Sequence, residues 1–362
     1  MQTDPPRSRR GREETPFRWY VTCDMPAYAE LAGVRYDLLF RDAEAIIEAF
    51  TVGEPRARAL YGPDLRYGGP IWAGISYGHV NCLGSPLRFP ENSDVAHAPI
   101  YGSLAEGIEA LQGEVDWARA GQMPFYLELW EKLKSAYPDR SIRFTGFGYE
   151  GPITTAWELR GHGFFLDLYD DPALCTEFLG LVTDSIASYS GFIRSLNGLP
   201  RFSTDGDSLY DDVSSLIHPR LWPEMVLPFQ ERYFRSLTSG RRHAHIENLI
   251  PDHLPYLDVL GLDSFDPSVS PRLVPSDLRD RCQVPFLWRL NSMHVRDLSC
   301  EQIRRFVFEG VAGGASGVFS GIARAMTQGE DADKIRTFIQ AARDVERLLA
   351  EGCPRGRLCE QL

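Results

Sequence analysis

Short apolar or β-prone runs alternate with long amphipathic stretches in the second half of the chain, and this alternation most constrains its fold. Six runs are predicted as strands, and most of them end in glycine or a polar residue: Arg143–Gly148, Phe202–Asp207, Arg242–Ile246, Leu257–Asp263, Val284–Asn291 and Ser316–Gly321. Helical apolar spacing marks Asp171–Ser190, Pro219–Leu237, Ser299–Gly310 and Asp331–Leu349. Strands followed by such helices indicate βα units and a parallel sheet. Six or more units predict a closed (β/α)8 TIM barrel.

The chain divides into one large domain and two short ends. Residues 1–15 are rich in arginine and carboxylates and contain almost no apolar residues, which predicts a mobile polar arm. Residues 16–352 are predicted to form a single barrel domain with a helical elaboration at its N-terminus. Residues 353–362 form a C-terminal tail.

Composition excludes several classes of function. The net charge of −12 argues against nucleic acid as a partner, because phosphate binding requires clustered cations. The sequence has neither a long apolar run nor a signal-peptide core, so we expect no membrane association and a cytoplasmic protein. The seven cysteines form no C-x-x-C pair and are expected to be reduced thiols. No dinucleotide or ATP phosphate-binding motif is present, so no nucleotide cofactor is expected.

The sharpest local feature is His243-Ala-His245-Ile-Glu247. In an extended strand, side chains at i, i+2 and i+4 project to one face. Two imidazoles and one carboxylate on that face predict a site for a divalent metal. Incidental histidines on a surface strand are the alternative, and Asp207 or Asp263 could replace Glu247 as the third ligand.

Polar residues at other predicted strand ends complete the candidate site. Asp205 and Asp207 are candidate acid–base residues, with turn formation in a loop as the alternative. Tyr149, a candidate catalytic residue, and Glu150 precede a Gly-Pro corner and could line the mouth of the cavity. The remaining candidates for substrate binding are His79, Asp263 and Ser320, although a histidine such as His79 is more often structural.

Four blocks of the chain, in the same order, resemble the uroporphyrinogen decarboxylase superfamily. They are Leu159-Arg-Gly-His162 with the following Phe-Leu-Asp-Leu-Tyr-Asp-Asp-Pro172, the run from Asp207 to Pro228 that contains Leu-Trp and Val-Leu-Pro, His243-Ala-His-Ile-Glu-Asn-Leu-Ile-Pro251, and Phe319-Ser-Gly-Ile322. The resemblance implies a (β/α)8 barrel. It covers most of the chain.

Two branches of that superfamily bear on function. The decarboxylases carry an arginine-rich run near the N-terminus, whereas this chain has Phe17–Cys23 in that place. The corrinoid-linked methyltransferases hold zinc with an H-x-C pair and a later cysteine. Here His245 and Ser320 stand at the two cysteine positions, so the resemblance implies a divergent member without the thiolate ligands.

Three hypotheses follow. In the first, zinc or iron activates a thiol or hydroxyl of a small organic substrate for methyl transfer, with a corrinoid protein as partner. In the second, the metal assists a decarboxylase or lyase that acts on a small carboxylated substrate, or an oxidative reaction at iron. In the third, the barrel only binds a ligand. The sequence leaves open whether the protein is a monomer or a homodimer.

Overall fold

The computed structural model describes residues 11–12 and 14–362, so the prediction for the rest of the N-terminal arm lies outside the described residues. The described part of the arm contacts the body of the protein. The guanidinium of Arg12 donates hydrogen bonds to the carbonyl oxygens of Leu278 (2.9 Å) and Val284 (3.3 Å). It also lies 5.3 Å from the ring centre of Phe286. This part of the predicted mobile arm is therefore anchored.

The described chain contains seven β-strands, and every strand pair is parallel. The strands are β1 (Arg18–Cys23), β2 (Arg66–Tyr67), β3 (Gly206–Tyr210), β4 (Arg241–His245), β5 (Ser264–Asp266), β6 (Leu287–Leu290) and β7 (Gly317–Ile322). One sheet has the order β2-β1-β7-β6 and the other the order β3-β4-β5. The prediction of a mixed α/β fold with parallel sheets is confirmed.

The two sheets meet between β5 and β6. Phe265 of β5 forms a parallel bridge with Phe286, and its amide donates to Pro285 O at 2.9 Å. The carboxyl ends of β3 to β7 therefore lie toward one side of the molecule. Where two further barrel strands are expected, residues 71–76 and 143–151 carry a single parallel bridge, between Ile75 and Phe147.

Helices cover the outer sides of the strands and build the N-terminal part. The α-helices are α1 (Met25–Ala32), α2 (Ala43–Glu48), α3 (Glu54–Tyr61), α4 (Gly78–Cys82), α5 (Leu104–Leu111), α6 (Met123–Ala136), α7 (Pro152–Arg160), α8 (Gly163–Asp170), α9 (Pro172–Leu196), α10 (Trp222–Met225), α11 (Leu227–Leu237), α12 (Pro255–Leu260), α13 (Pro275–Arg281), α14 (Ser292–Asp297), α15 (Cys300–Ala312) and α16 (Gly329–Ala350). A π-helical turn spans Ala49–Gly53, and 3₁₀ turns span Tyr36–Phe40, Asp212–Leu216, Pro219–Leu221, Pro251–His253 and Arg355–Gln361. In the described part of the chain, no helix combines the length and apolar character needed to cross a bilayer.

Three of the four long predicted helices are confirmed, as α9, α15 and α16. Capping residues explain where the first two begin. Asp171 accepts a hydrogen bond from the amide of Leu174 at 3.0 Å and begins α9. Ser299 caps α15 in the same way through the amide of Gln302, at 3.3 Å. The prediction for Pro219–Leu237 was too long, since a 3₁₀ turn, α10 and α11 share that range.

Three strand predictions were wrong in position. Leu257–Asp263 was predicted as a strand, but α12 occupies most of it and β5 follows at Ser264–Asp266. A short apolar run is compatible with a buried helix as well as with a strand, and Pro255 starts a helix here. β3 begins four residues later than predicted, and residues 143–148 form no regular strand.

Two groups of buried side chains form the core. One joins β1, β6 and β7 to α1, α6, α15 and α16, and the other joins β3, β4 and β5 to α7, α9 and α11. Tyr77, Tyr149 and Trp288 pack against both groups. The predicted C-terminal tail also packs on the core, because Leu358 has no exposed surface.

Candidate metal centre

Two rows of polar side chains cross strands β3, β4 and β5. Register pairs Ser208 with His243 and His243 with Ser264 in the first row. The second row consists of Tyr210, His245 and Asp266, paired in the same way. Because residues i and i+2 of a strand are about 6.6 Å apart, the two histidines share a face but lie at different levels.

His245 is held by the carboxylate next to it in the second row. Its Nδ1 lies 2.7 Å from Oδ2 of Asp266, a side chain that is almost completely buried. Burial alone would lower the pKa of His245, but the hydrogen bond to Asp266 and the charges of Asp266, Asp212 and Glu247 together raise it. With Nδ1 occupied, Nε2 is the ring atom available to a ligand.

Asp212, His245 and Glu247 form a group whose ligand atoms lie within 4.8 Å of one another and can hold a metal ion. The His245 Nε2 atom is 3.8 Å from Oδ1 of Asp212 and 3.7 Å from Oε1 of Glu247. Ligand atoms bound to one cation at about 2.1 Å lie about 3.0–3.4 Å apart. The two distances from Nε2 would each have to contract by about half an ångström for Asp212, His245 and Glu247 to share one cation, which would leave open positions for other ligands.

The loops after β4 and β5 fix Glu247. Ser268 Oγ donates to Glu247 Oε1 at 2.7 Å, and Arg289 Nη1 donates to Ser268 Oγ at 2.6 Å. Both Asn248 (φ +59°) and Ser268 (φ +39°) have left-handed backbone conformations that non-glycine residues rarely adopt. Such conformations are concentrated at functional sites, where the surrounding structure enforces them.

Uncompensated negative charge makes this group suitable for a cation. Asp212, Glu247 and Asp266 surround one imidazole, and among residues 11–12 and 14–362 no lysine or arginine is ion-paired with Asp212 or Glu247. Burial raises the pKa of Asp212. The charge of His245 and a hydrogen bond from the amide of Glu247 (2.8 Å) oppose this shift, and the charges of Glu247 and Asp266 add to it. A divalent cation would relieve this repulsion.

Glu150 lies beside the group. Burial raises its pKa to about 8, and the charges of Asp212 and Asp211 act in the same direction. A hydrogen bond with Ser76 and the charge of His245 partly oppose that shift. A carboxyl group with this pKa can give or take a proton near neutral pH.

Tyr149 is hydrogen-bonded to a serine of α9. Its hydroxyl lies 2.9 Å from Ser190 Oγ, and burial raises the pKa of the phenol. Its other electrostatic neighbours are Asp207, Tyr233 and Tyr210.

The remaining predicted acid–base residues line a different cavity, at the amino ends of the strands. This cavity of about 740 Å³ is bordered by Asp205, Asp207, His243 and Asp263. Asp207 is the register partner of Arg242, which lies three positions before His245, so Asp207 is about 10 Å from His245 along the strand direction. His243 borders the same cavity and is not part of the group formed by Asp212, His245 and Glu247.

Two of these four residues, His243 and Asp263, form side-chain hydrogen bonds at that end. His243 Nδ1 lies 2.8 Å from Ser264 Oγ, and burial lowers its pKa. Asp263 Oδ2 accepts a hydrogen bond from the amide of Arg242 at 2.9 Å. Asp205 is exposed. Asp207 is half-buried in the wall of the cavity, and burial raises its pKa.

Two predicted substrate-binding residues are packed in the core. Ser320 has no exposed surface, and its hydroxyl donates to Leu290 O at 2.9 Å. The His79 ring packs against Trp117 and Tyr189, which also contact each other, and its Nε2 is 2.9 Å from Ser185 Oγ. Burial lowers the pKa of His79 to about 3.

Sequence reasoning missed Asp212, Asp266 and Arg289. Asp212 and Asp266 stand at the carboxyl ends of β3 and β5, but the strands were predicted to end at Asp207 and Asp263. The acidic pair Asp211-Asp212 was part of the run that carried the family resemblance, so a signal was present. Arg289 lies within the run predicted as a strand, and nothing in its sequence context indicates its role.

Comparison with solved structures supports the fold. A methyltransferase from Methanosarcina mazei has a TM-score of 0.64 and 15% sequence identity, over 91% of this chain and 94% of that chain. This identity is low enough that the likeness concerns the fold alone. The carboxyl transferase domain from Rhizobium etli pyruvate carboxylase, with pyruvate and biocytin, covers 92% of this chain and 48% of that chain at 12% identity, but its TM-score of 0.25 supports no conclusion. No protein-family model matches the sequence, and no curated protein matches it significantly.

Proposed function

We propose that this protein is a metal-dependent enzyme that transfers a methyl group to a thiol or hydroxyl of a small organic substrate. The observation that carries the proposal is the group of Asp212, His245 and Glu247 at the carboxyl ends of β3 and β4, with Asp266 orienting the imidazole. In barrel enzymes, this is the end at which catalytic residues gather. The similar fold of a known methyltransferase supports the choice of reaction.

The proposal includes the closed form of the fold. We propose that the two sheets, together with residues 71–76 and 143–151, make one (β/α)8 barrel that spans residues 16–352. The parallel bridges of Ile75 with Phe147 and of Phe265 with Phe286 support this closure. A hydrogen bond from Gly151 N to Tyr210 O links residues 143–151 to β3 in the same way.

We propose zinc as the bound metal, with iron as the alternative. One imidazole and two carboxylates contain no thiolate, and such nitrogen and oxygen donors suit Zn, Fe(II) or Mn(II). A divalent cation bound there would act as a Lewis acid and lower the pKa of a bound thiol, hydroxyl or water. Because these donors are hard, we expect a metal bound here to bind a substrate hydroxyl more readily than a metal bound by thiolates would.

The residues around the group divide the remaining tasks. Asp266 holds the imidazole, and Ser268 with Arg289 holds Glu247. During transfer the bond from the methyl group to its donor breaks as the bond to sulfur or oxygen forms, and the acceptor proton leaves. We assign that proton to Glu150 rather than to Asp207, because Glu150 lies beside the group and Asp207 lies at the opposite end.

A methyl donor must reach the same end of the protein. The resemblance to corrinoid-linked methyltransferases makes a corrinoid protein the candidate partner. Methylcobalamin with a simple thiol such as 2-mercaptoethanol provides a minimal assay, because loss of its methyl group changes the visible absorbance. Turnover that requires bound metal and disappears in His245→Ala would support methyl transfer.

Glu150 also supports a second candidate, a metal-assisted decarboxylase or lyase that acts on a small carboxylated substrate. A neutral carboxyl group beside a metal site can protonate the carbanion that remains when carbon dioxide leaves. Release of carbon dioxide from a panel of small carboxylic acids, without any use of methylcobalamin, would favour this reaction.

Metal analysis tests the basis of both candidates. Elemental mass spectrometry of purified protein should find about one zinc or iron per chain, and His245→Ala or Asp212→Asn should lose it. His243→Ala is the matched control, because its imidazole lies one row away and should not be needed. Equal metal loss in His243→Ala and His245→Ala would contradict the assigned ligands, and absence of metal after reconstitution would overturn the proposal.

A further inference from the structure

A second cavity, of about 530 Å³, opens at the carboxyl ends of β1 and β7, next to the candidate metal centre. Asp24, Asp94, Arg289 and Arg324 provide its charged wall residues. Arg289 joins this cavity to the metal centre, since it donates to Ser268 Oγ, the same hydroxyl that donates to Glu247.

Arg289 has the features of an anion-binding residue. Among the described residues it forms no ion pair, and its Nε is buried without a hydrogen-bond partner. Its guanidinium lies 5.7 Å from the ring centre of Phe319. Arginine remains charged in proteins, so a partly buried guanidinium without a counter-ion is unfavourable until an anion joins it.

Arg324 adds a second cation to the same wall. It is exposed, it forms no ion pair within the part of the chain that the structure covers, and its guanidinium stacks 4.6 Å from the ring centre of Tyr36. Ile322, the last residue of β7, and Ala323 also line the cavity. Two guanidinium groups therefore face one cavity from the ends of neighbouring strands.

The acidic wall residues limit the charge that the cavity can accept. Asp94 accepts a hydrogen bond from the Tyr36 hydroxyl at 2.5 Å. Asp24 is exposed on the same wall. The two arginines therefore face two carboxyl groups, and this balance suits an anion of low charge, such as a carboxylate, better than a phosphate with two charges.

We propose that this cavity binds a carboxylate group of the substrate through Arg289 and Arg324. The planar guanidinium fork matches the two oxygens of a carboxylate. Binding would bring the rest of the molecule toward Glu247, through the same arginine that supports that ligand. The role in catalysis rests on the proposed function, whereas the binding of the anion does not.

Calorimetric titration of protein treated with EDTA tests the assignment without metal coordination. The probes are succinate, its uncharged analogue succinamide, and inorganic phosphate. We expect succinate to bind and succinamide not to bind. Arg289→Gln and Arg324→Gln should each weaken succinate about tenfold or more, in line with the loss of a charged hydrogen bond. Arg241→Gln, an exposed arginine at the opposite end, is the control and should bind as the wild type does.

The outcomes separate this inference from the proposed function. Because Arg324 is exposed and the hydrogen bonds that hold Glu247 come from Ser268 and Arg289 instead, its variant should fold and keep the metal even if Arg289→Gln disturbs the metal site. Succinate binding that depends on both arginines supports the cavity assignment, whatever the metal analysis shows. Equal binding by the wild type and both variants, no binding of succinate, or tighter binding of phosphate would each overturn it.

Discussion

The Nδ1 atom of His245 lies 2.7 Å from Oδ2 of Asp266, and the two residues are register partners on β4 and β5. This pairing fixes the ring so that Nε2 faces Asp212 and Glu247. Asp266 is itself held, because its Oδ1 accepts a hydrogen bond from the amide of Ser268 at 2.8 Å. Asp266 thus positions a metal ligand without being part of the ligand group.

Asp266→Asn should weaken metal binding without removing a ligand. The amide keeps the size of the side chain but loses the charge that stabilises the oriented imidazole, and such changes reduce metal affinity by about 10- to 100-fold. Competition with a chromophoric chelator measures the affinity. Ser264→Ala, which changes the corresponding partner of His243, is the control and should leave the affinity unchanged. Unchanged affinity in Asp266→Asn would contradict the positioning role.

The fold class could be predicted because its signals are local. Helix-starting residues such as Asp171 and Ser299 mark the ends of α9 and α15, and both caps are present. The alternation of strands and helices indicated parallel sheets correctly. Contacts between distant segments, such as the bridge of Ile75 with Phe147, are specified by no local pattern.

The candidate site could be predicted only in part, because its position depends on where each strand ends. The His-x-His-x-Glu pattern identified His245 and Glu247, which the structure brings together with Asp212. The predicted strands ended at Asp207 and Asp263, three residues before β3 and β5 end in the structure. The carboxyl ends of these strands are therefore followed or occupied by Asp212 and Asp266, whereas Asp207 and Asp263 lie at the cavity at the amino ends.

Burial also changed the expected roles of polar residues. A serine in a strand faces one side of the sheet or the other, and Ser320 is fully buried with its hydroxyl bonded to Leu290 O. Asp211, the neighbour of Asp212, accepts a hydrogen bond from the amide of Thr154 at 2.8 Å and so caps α7 from another element. Such long-range caps leave no spacing signal in the sequence.

His79→Gln should make the fold less sensitive to acid. The folded-state pKa of His79, about 3, lies below its ordinary value of 6.5 because the ring is buried. Its unprotonated form is therefore preferred in the folded state, and its contribution to stability is complete above pH 6.5 and decreases as the pH falls toward 3. Between pH 7 and pH 5 this loss amounts to about 2 kcal/mol.

Urea unfolding at both pH values measures the effect. The wild type should lose about 2 kcal/mol more than His79→Gln between pH 7 and pH 5. His218→Gln changes an exposed histidine and should follow the wild type. A variant with the same pH dependence as the wild type would show that His79 is protonated or accessible in the folded protein.

Gly53→Ala should destabilise the N-terminal part strongly. A Cβ atom at this position would lie 2.1 Å from the carbonyl oxygen of Tyr28, where the π-helical turn packs on α1. Backbone must move to make room, and overpacking of this kind costs about 1–3 kcal/mol or more. Gly74→Ala is the control, since its Cβ would meet no atom within 4 Å. Denaturant midpoints of the two variants should differ clearly, and equal midpoints would contradict the close packing of α1 on this turn.

Glu150→Gln should stabilise the folded protein increasingly as the pH rises. Burial raises the pKa of Glu150 to about 8 from its ordinary value of 4.5, so the folded state retains a proton that the unfolded state releases. The wild type therefore loses stability as the pH rises from 4.5 to 8, whereas the neutral glutamine avoids this loss. Thermal unfolding should give similar midpoints for the two proteins at pH 4.5 and a higher midpoint for the variant at pH 8.

A spectroscopic measurement identifies the group directly. In protein labelled with ¹³C at the glutamate carboxyl carbons, one resonance should titrate near pH 8 and be missing from Glu150→Gln. Asp205→Asn removes an exposed carboxylate at the opposite end of the strands and should change neither the resonance nor the pH dependence of the unfolding midpoint. A resonance assigned to Glu150 that titrated near pH 4.5 would show that the carboxylate is solvated. Glu150 would then be ionised at neutral pH, which removes the basis for a neutral acid beside the metal centre.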